Sequence, residues 1–342
     1  MILPKKLEKG DTVAIVSLAK GVAGDENIIW RTLKGIDILQ NKFKLNVKIM
    51  PNTLAGSKYI YNHPEERAKD LHNALLDNEI KAIINCVGGS DSLRVIPYLD
   101  LHIITNNPKI FIGYSDVTSI HMLFNQANVT SYYGPALLTD FAENIKMDDY
   151  TVEQIYNILF ENHRITDVPN SKYIRDNSID WLKENEFTQR DYIYKGDYEV
   201  INGSGKAKGH LIGGCLETLN NLRGTNLFPD VNKFANSILF LENSGSLGNP
   251  LIIEQNIRTL GYMGILNKVN GIIIGSPPQL ENYELIKKIW QKTIKEWDIG
   301  DTPIMFNASF GHNEPKCILP YGIEAELNTS NNTFKILGAC VS

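Results

Sequence analysis

Three polar residues with complementary chemistry each follow an apolar, strand-like run of the sequence. Ser115 follows the run KIFIGY, Glu242 ends the run SILFLE, and His312 comes shortly after the run PIMFNAS. A serine hydroxyl needs a base to become a nucleophile, and the base needs a third group to orient it. Because catalytic groups of open α/β sheets collect at the carboxyl ends of strands, the three residues are candidates for a nucleophile, an orienting carboxylate and a base.

Each of these residues also has a purely structural interpretation. Ser115 or Asp116 would suit the cap of a helix that begins near Asp116, and the GxSxG elbow is incomplete here because valine replaces its second glycine. Glu242 would suit a solvated turn, and His312 a surface loop. His121 is a rival base, but it lies six residues beyond Ser115, more than one helical turn away, and is predicted to be structural.

A pair of glycines offers backbone donors near the same edge of the predicted sheet. Gly88 and Gly89 directly follow the strand-like run KAIINCV, and without Cβ atoms they let a substrate approach the main chain. The free N–H groups of a helix that begins near Asp116 would favour a developing negative charge there. The glycines are therefore either part of an oxyanion-binding site or an ordinary turn between a strand and a helix.

Other motifs fall short of a functional pattern. The stretch GSGKAKG (203–209) has Val200 and Ala207 where a phosphate-binding loop needs its first glycine and its Ser/Thr, so a flexible turn is predicted. No HExxH motif occurs, and the seven histidines lack the spacing of metal ligands. His312 and Glu314 form only a weak HxE pair. We predict neither a metal site nor another cofactor.

The composition limits the classes of protein to which the chain can belong. With 342 residues, of which 43% are hydrophobic, it is long enough for two domains. The net charge is -5 and no basic stretch suits a phosphate backbone, so no nucleic-acid binding is expected. We find no apolar run long enough to cross a bilayer and no secretion signal, and therefore expect no membrane association and a cytoplasmic location.

In the first half of the sequence, apolar strand-like runs alternate with segments of helical periodicity. This alternation is typical of a parallel sheet covered by helices on both faces. It predicts an N-terminal three-layer α/β domain with a mostly parallel sheet over residues 1–165. The strand-like runs are TVAIVSL (12–18), LNVKIM (45–50), KAIINCV (81–87) and KIFIGYS (109–115), and the helical segments span 26–40, 64–77 and 148–162.

The second half of the sequence has a different texture. Residues 166–197 are predicted to be a linker or a surface insertion, because their central part is polar, charged and weakly periodic. Residues 198–342 are predicted to form a smaller C-terminal α+β domain that is rich in strands and glycine turns. Its helix is expected over 215–222, and its strands over 237–242, 271–276 and 303–309.

Several blocks of the sequence, in order along nearly the whole chain, resemble the LD-carboxypeptidase family of serine peptidases. The resemblance implies a fold unrelated to the α/β-hydrolases, no metal or cofactor, and a homodimer. The blocks are GDTVAIVSLA near the start, GGSDSLRVIPYLD (88–100), KIFIGYSDVTSIH (109–121) followed by SYYGPALL, GGCLETLNNLRGT (213–225), ILFLENS (238–244), GIIIGSP (271–277) and FGHNEPKCILPYG (310–322).

The resemblance also implies a role for each candidate residue. Ser115 would be the nucleophile, His312 the general base and acid, and Glu242 the group that orients the imidazole. The backbone N–H groups of Gly89 and Asp116 would form the oxyanion hole. The implied activity is that of a serine-type carboxypeptidase that cleaves a C-terminal amide bond through an acyl-enzyme.

Two branches of this family differ in substrate. One trims the terminal D-alanine from murein tetrapeptides during cell-wall recycling. The other resembles microcin C immunity peptidases, which cut the amide between a peptide's C-terminal aspartyl residue and a nucleotide-like group. The sequence is closer to the second branch, because it carries GGSDS at 88–92 and a long insertion with Trp181.

The two expected substrate-binding residues are Gly88 and Trp181. Trp181 either stacks on a nucleobase or anchors the insertion to the body of the protein. The expected partner is a small peptide or peptide-nucleotide substrate. A second hypothesis is a protein that binds a ligand in the groove between the domains without turning it over.

Overall fold

The structure is a computed structural model and describes residues 1–245 and 250–342. Within these residues the strands form one sheet of six, one sheet of eight and a separate pair. In chain order the strands are β1 (Thr12–Val16), β2 (Asn46–Ile49), β3 (Ile80–Asn85), β4 (Ile110–Gly113), β5 (Tyr132–Tyr133), β6 (Thr166–Asp167), β7 (Tyr173–Arg175), β8 (Tyr192–Tyr194), β9 (Glu199–Asn202), β10 (Lys206–Cys215), β11 (Ser237–Glu242), β12 (Gly271–Gly275), β13 (Ile304–Ala308), β14 (Leu319–Pro320), β15 (Glu324–Asn328) and β16 (Thr333–Ile336).

Helices connect many of these strands. In chain order they are α1 (Ile29–Asn41), α2 (Ser57–Asn62), α3 (Pro64–Leu76), α4 (Leu101–Asn106), α5 (Thr118–Gln126), α6 (Asp149–Ile155), α7 (Leu216–Asn221), α8 (Pro250–Tyr262) and α9 (Tyr283–Lys295). The helix predicted over 148–162 is shorter, because α6 gives way to a wider π turn over Tyr156–Phe160. In the described part of the chain, no helix is long and apolar enough to cross a membrane.

The first sheet has the strand order β14-β5-β4-β3-β1-β2. Strands β1 to β5 run parallel to their neighbours, and only the short β14 is antiparallel. Residues on both sides of β1, β3 and β4 are buried, which explains why these strands are apolar throughout instead of alternating. The prediction of a mostly parallel sheet in the first half of the chain is confirmed.

The second sheet has the order β6-β16-β15-β10-β11-β12-β13-β9. Its centre, β10 to β13, is parallel, and antiparallel strands flank it on both sides. This arrangement confirms a separate, strand-rich second unit. It also brings the carboxyl ends of β11 and β13 to one edge, where Glu242 ends β11 and the loop with His312 follows β13.

Each sheet contains one short strand from the other half of the chain. β14 lies near the C-terminus and pairs with β5 of the first sheet. β6 precedes the predicted C-terminal domain and pairs with β16 of the second sheet. These two pairings connect the two sheets. The domain boundaries at residues 165 and 198 stay predictions.

The predicted insertion is fastened to the body of the protein by buried arginines. β7 and β8 form an antiparallel pair at its base. Arg175 donates to Asp148 at 2.8 Å, and Arg190 forms an ion pair with Glu143. All four side chains are buried. These ion pairs hold the segment between β7 and β8, which carries Trp181, against the body of the protein. The segment also contacts α1, because Trp30 Nε1 donates to the Trp181 carbonyl at 3.3 Å.

Candidate active site

Ser115, His312 and Glu242 form a continuous hydrogen-bonded row. The His312 Nε2 atom lies 2.9 Å from Ser115 Oγ, and the Nδ1 atom lies 2.7 Å from Glu242 Oε2. Both distances are within the range of a hydrogen bond, and the imidazole presents one nitrogen to each partner. The fold thus brings together the three residues that the sequence singled out, although they are separated by up to 197 positions along the chain.

Ser115 lies on a tight turn between β4 and α5. Its φ angle of 68° is in the left-handed region, which non-glycine residues rarely adopt. The Ser115 N–H donates to the Tyr133 hydroxyl oxygen at 3.0 Å, and the Ser115 carbonyl accepts from Thr118 Oγ1 at 2.6 Å. These two bonds hold a strained backbone in place, as is common where a reactive group is presented to a substrate.

Glu242 is almost fully buried at the end of β11. Its Oε2 atom faces His312, and its Oε1 atom accepts a hydrogen bond from the Tyr133 hydroxyl. Burial alone would raise the pKa of Glu242, but the charge and hydrogen bond of His312, with the Tyr133 hydroxyl, hold it below its ordinary value. The carboxyl group is therefore kept ionised out of contact with solvent.

The Tyr133 hydroxyl connects the two ends of this row, Ser115 and Glu242. Its hydroxyl oxygen accepts from the Ser115 N–H and its O–H donates to Glu242. Burial, with the Glu242 charge, raises the pKa of Tyr133 well above 10, so the phenol keeps its proton. Tyr133 was not among the candidates selected from the sequence. The available signal was its place in SYYGPALL, at the end of the strand that neighbours β4.

His312 lies in the loop after β13 and is partly exposed to the cavity, with 21% of its side chain accessible. Burial lowers the pKa of His312, but the charge and hydrogen bond of Glu242 outweigh burial and raise it above its ordinary value. A histidine with this environment can accept a proton from the Ser115 hydroxyl and is stabilised once it carries the charge.

Buried ion pairs fasten the loop that carries His312. Glu314 Oε1 lies 3.2 Å from Lys316 Nζ, and Glu314 Oε2 lies 3.5 Å from Arg190 Nη1. These two cations hold the pKa of Glu314 well below its ordinary value despite its burial. Each Glu314 oxygen therefore faces a cation. Within residues 1–245 and 250–342, no group of three His, Cys, Asp or Glu side chains is placed to share a metal ion.

Gly88 lies beside Ser115, and Gly89 lines the same cavity. A Cβ atom on Gly88 would come within 2.7 Å of Ser115 Oγ and 3.6 Å of the Asp116 backbone nitrogen. Only glycine leaves this space open for a substrate. Asp116 lies in the first turn of the 3-10 helix Ser115–Val117, where backbone N–H groups have no partner inside the helix. The space beside the Ser115 hydroxyl is thus bounded by Gly88 and the Asp116 backbone nitrogen.

The Asp116 side chain does not cap the helix in which it lies, so that interpretation is wrong. Its Oδ2 atom accepts from the backbone N–H groups of Asp91 and Ser92 at 3.0 and 2.8 Å. The Ser115 hydroxyl lies 2.9 Å from His312 Nε2 instead. A carboxylate prefers two N–H donors that point at it over the single N–H of a short turn. Asp116 consequently fixes the loop that follows Gly89.

His121 is structural, as predicted. Its Nδ1 atom lies 2.8 Å from Ser131 Oγ and its Nε2 atom lies 3.0 Å from the Gly113 carbonyl oxygen. The ring is fully buried, and burial lowers the pKa of His121 to about 3. Both nitrogens are occupied, one by Gly113 at the end of β4 and one by Ser131 just before β5, so the ring is not available to Ser115.

Two adjoining cavities open at the row of catalytic candidates. The nucleophile cavity, of about 640 Å³, is lined by Ser115, His312 and Trp181 among others. The side cavity, of about 310 Å³, shares His312 and Trp181 and extends to Arg31 and Glu314. Together they offer room for a substrate with a part on each side of the Ser115 hydroxyl.

Trp181 lies at the junction of the two cavities. The Arg31 guanidinium carbon is 4.9 Å from the centre of its ring, a cation–π contact that fixes the ring from the protein side. The half-buried tryptophan packs against the core and also lines both cavities. Anchoring the insertion and presenting an aromatic surface are therefore compatible. Arg31 was not among the candidates selected from the sequence, because nothing in its neighbourhood along the chain indicates this tertiary contact.

Two family models match the chain. The LD-carboxypeptidase N-terminal domain matches residues 13–134, and the LD-carboxypeptidase C-terminal domain matches residues 208–327. The first region contains Ser115 and the glycines beside it, and the second contains Glu242 and His312. The two matches together cover more than half of the chain.

Relatives along most of the chain carry two different descriptions. The chain is 28% identical over 340 residues to the microcin C7 self-immunity protein MccF of Escherichia coli, covering 98% of this chain and 95% of that protein. It is also 28% identical over 338 residues to a probable murein peptide carboxypeptidase of Bacillus subtilis, covering 96% and 92%. Sequence identity alone does not separate the two descriptions.

Solved structures share the whole fold. A MccF-like protein from Streptococcus pneumoniae, in complex with AMP, superposes with a TM-score of 0.87 at 28% identity, over 96% of this chain and 98% of that one. MccF in complex with aspartyl sulfamoyl adenosine gives a TM-score of 0.87 at 25% identity over 100% of both chains. With both family models matched in order, the chain belongs to the LD-carboxypeptidase family and is a serine-type carboxypeptidase.

Proposed function

We propose that Ser115 is the nucleophile of a Ser-Glu-His triad, that His312 is its general base and acid, and that Glu242 orients the imidazole. The observation that carries this proposal is the hydrogen-bonded row from Ser115 Oγ through the imidazole to the Glu242 carboxylate. The left-handed turn at Ser115 supports it, because that turn presents the hydroxyl to the nucleophile cavity.

The reaction follows from the geometry of the row. His312 removes the Ser115 proton as the oxygen attacks the amide carbonyl, and the negative charge that forms is met by the N–H groups of Gly89 and Asp116. The imidazolium then protonates the leaving amine, and an acyl-enzyme is formed. Water then attacks the acyl carbon while His312 takes its proton; the bond to Ser115 Oγ breaks, His312 returns the proton to that oxygen, and the acyl group is released as a carboxylic acid.

For the substrate, we propose a short peptide whose C-terminal aspartyl residue is joined through an amide bond to a nucleotide-like group. Trp181 and Gly88 would contact it, with the indole face stacked on the base. The proposal is supported by the position of Trp181 at the two cavities and by MccF, which binds aspartyl sulfamoyl adenosine. A homodimer and a cytoplasmic location stay predictions from the sequence.

The second candidate substrate is a murein tetrapeptide, favoured by the similarity to a probable murein peptide carboxypeptidase. The two are separated by measuring hydrolysis of an aspartyl-adenylate analogue and of a murein tetrapeptide by the wild type and by Trp181→Ala. We expect the wild type to prefer the nucleotide-type substrate, and Trp181→Ala to lose about ten- to a hundredfold in kcat/KM on that substrate alone. Equal losses on both substrates would make Trp181 an anchor, and a wild-type preference for the tetrapeptide would overturn the nucleotide proposal.

The Tyr133→Phe variant is expected to lose about ten- to a hundredfold in kcat with little change in KM. Removal of the hydroxyl leaves one oxygen of the buried Glu242 and the Ser115 N–H without their partner, and a hydrogen bond to a charged group is worth about 1.5 to 3 kcal/mol. Steady-state kinetics on any accepted substrate would measure the effect.

A matched control for this variant is the neighbouring Tyr132→Phe. Tyr132 is also fully buried, but its hydroxyl donates to the Cys340 carbonyl, away from the triad. We expect Tyr132→Phe to lower thermal stability comparably while kcat stays near that of the wild type. If the two variants lose activity equally, Tyr133 acts only through stability.

A further inference from the structure

A third cavity adjoins the nucleophile cavity on the side away from the side cavity. This Lys20 cavity has a volume of about 420 Å³ and shares Lys20 and Ser90 with the nucleophile cavity. The side cavity meets the nucleophile cavity at other residues, among them Trp181 and His312. The nucleophile cavity therefore continues in two directions, one towards Trp181 and one towards Lys20. The Lys20 cavity is lined by Lys20, Lys58, Tyr61, Asn62, Ser90 and Asp91, among others.

The segment that follows β3 leads from the nucleophile to the Lys20 cavity. A Cβ atom on Gly88 would come within 2.7 Å of Ser115 Oγ, and one on Gly89 would come within 3.0 Å of the Lys20 backbone nitrogen. The two residues after Gly89 line the Lys20 cavity itself. Three residues of extended chain span about 10 Å. A peptide that lies along this segment therefore reaches the cavity within about three residues of the attacked carbonyl.

The walls of the Lys20 cavity carry an excess of positive charge. The carboxylate that lines it, Asp91, is already paired with the buried Arg67 at 3.2 Å and with Arg94 at 3.1 Å. The exposed Lys20 and the half-buried Lys58 take part in none of the ion pairs among the described residues. The remaining residues, 246–249, are Ser, Leu, Gly and Asn and carry no carboxylate. No protein carboxylate thus pairs with either lysine.

Other lysines in the same half of the chain do pair with carboxylates. Lys48 Nζ lies 2.6 Å from Asp77 Oδ2, and Lys69 Nζ lies 3.4 Å from Glu66 Oε2. The two lysines of the Lys20 cavity are instead left to water, and their fields add within a single concave site. An anionic ligand group in this cavity would meet both.

We propose that the Lys20 cavity binds the peptide residues that precede the acyl residue of the substrate, and that Lys20 and Lys58 favour a carboxylate side chain there. In the proposed function the nucleotide-like group lies towards Trp181, so the peptide on the other side of the scissile bond extends towards Lys20. Among the described residues, the N–H groups of Lys20 and Ser90 have no hydrogen-bond partner and are available to peptide carbonyls. This inference rests on the proposed function, since it assumes that the scissile bond is bound at Ser115.

The test compares kcat/KM on aspartyl sulfamoyl adenosine extended at its amino group by acetyl-glutamyl, acetyl-glutaminyl or acetyl-lysyl. We expect the wild type to prefer the glutamyl over the glutaminyl substrate by about three- to tenfold and to cleave the lysyl substrate least well. The preference should shrink between about 0.1 M and about 1 M salt, because the Debye length falls from about 10 Å to about 3 Å. The double variant Lys20→Gln/Lys58→Gln should cleave the glutamyl and glutaminyl substrates equally.

Lys48→Gln/Lys69→Gln is the matched control, because it removes two lysine charges from the same half of the chain and neither residue lines any of the three cavities. It should keep the glutamyl preference of the wild type. Equal cleavage of the glutamyl and glutaminyl substrates by the wild type would overturn the inference. A preference that survives Lys20→Gln/Lys58→Gln would overturn it as well.

Unextended aspartyl sulfamoyl adenosine separates a failure of this inference from a failure of the proposed substrate. If the wild type hydrolyses neither this compound nor its extended forms, the nucleotide-type substrate is wrong. The same three extensions are then compared on alanine-terminated peptides. A glutamyl preference that is lost in Lys20→Gln/Lys58→Gln supports the inference there, and its absence contradicts it.

Discussion

Replacement of Ser115 by alanine is expected to lower kcat by about 10⁴- to 10⁶-fold, because the attacking oxygen is lost while the oxyanion donors alone retain only a remnant of catalysis. The substitution removes one oxygen from a buried turn whose backbone bonds to Tyr133 and Thr118 do not involve the hydroxyl. Thermal unfolding of the variant is therefore expected to match that of the wild type. Turnover with an accepted substrate, measured beside circular dichroism melts, tests both parts.

Ser119→Ala is a suitable control for this variant. Ser119 lies on α5, is fully buried, and bonds to Ser92 Oγ and the Asp116 carbonyl instead of the imidazole. It should lose stability but keep a kcat within about threefold of the wild type. A Ser115→Ala protein that is folded and still turns over at a rate near that of the wild type would rule out the acyl-enzyme mechanism at this residue.

The Glu242→Gln variant is expected to lose about 10³- to 10⁴-fold in kcat, since the amide cannot stabilise the imidazolium or hold the correct tautomer of His312. It should also move the acid limb of the pH profile. The pKa of His312 is raised by Glu242, and the neutral imidazole is the active form, so wild-type kcat/KM should fall as pH drops through a midpoint above 6.5. Without the Glu242 charge, burial dominates and the midpoint should shift to lower pH.

Glu296→Gln provides the control for Glu242→Gln, because Glu296 pairs with Arg258 on the protein surface and does not line either cavity. Its pH profile should be that of the wild type. An acid limb that stays in place in Glu242→Gln would mean that a group other than His312 titrates in the wild-type profile.

The strand ends made the candidate triad residues recognisable in the sequence. Strands that are apolar on both faces indicate a parallel sheet covered by helices. In such a sheet the carboxyl ends of the strands lie at the same edge. Ser115, Glu242 and His312 could therefore be selected as candidates by residue type and position, whereas their roles were implied only by the family resemblance. The glycines at 88 and 89 could be placed for the same reason, since they directly follow β3.

The supporting contacts could not be predicted, because they depend on how the two sheets meet. Tyr133 reaches Glu242 only once β5 of the first sheet lies against β11 of the second. Asp116 had a local explanation as a helix cap, but a better pair of donors came from Asp91 and Ser92, which are distant in sequence.

The most direct test of the central claim, that Ser115 is an activated nucleophile, is to label the protein with a fluorophosphonate and map the adduct by mass spectrometry. The hydroxyl that lies 2.9 Å from His312 Nε2 should react, because the imidazole can take its proton. We predict a single adduct on the peptide that contains Ser115 and none on the Ser115→Ala protein. An unlabelled wild type, or an adduct that persists in Ser115→Ala, would contradict the account.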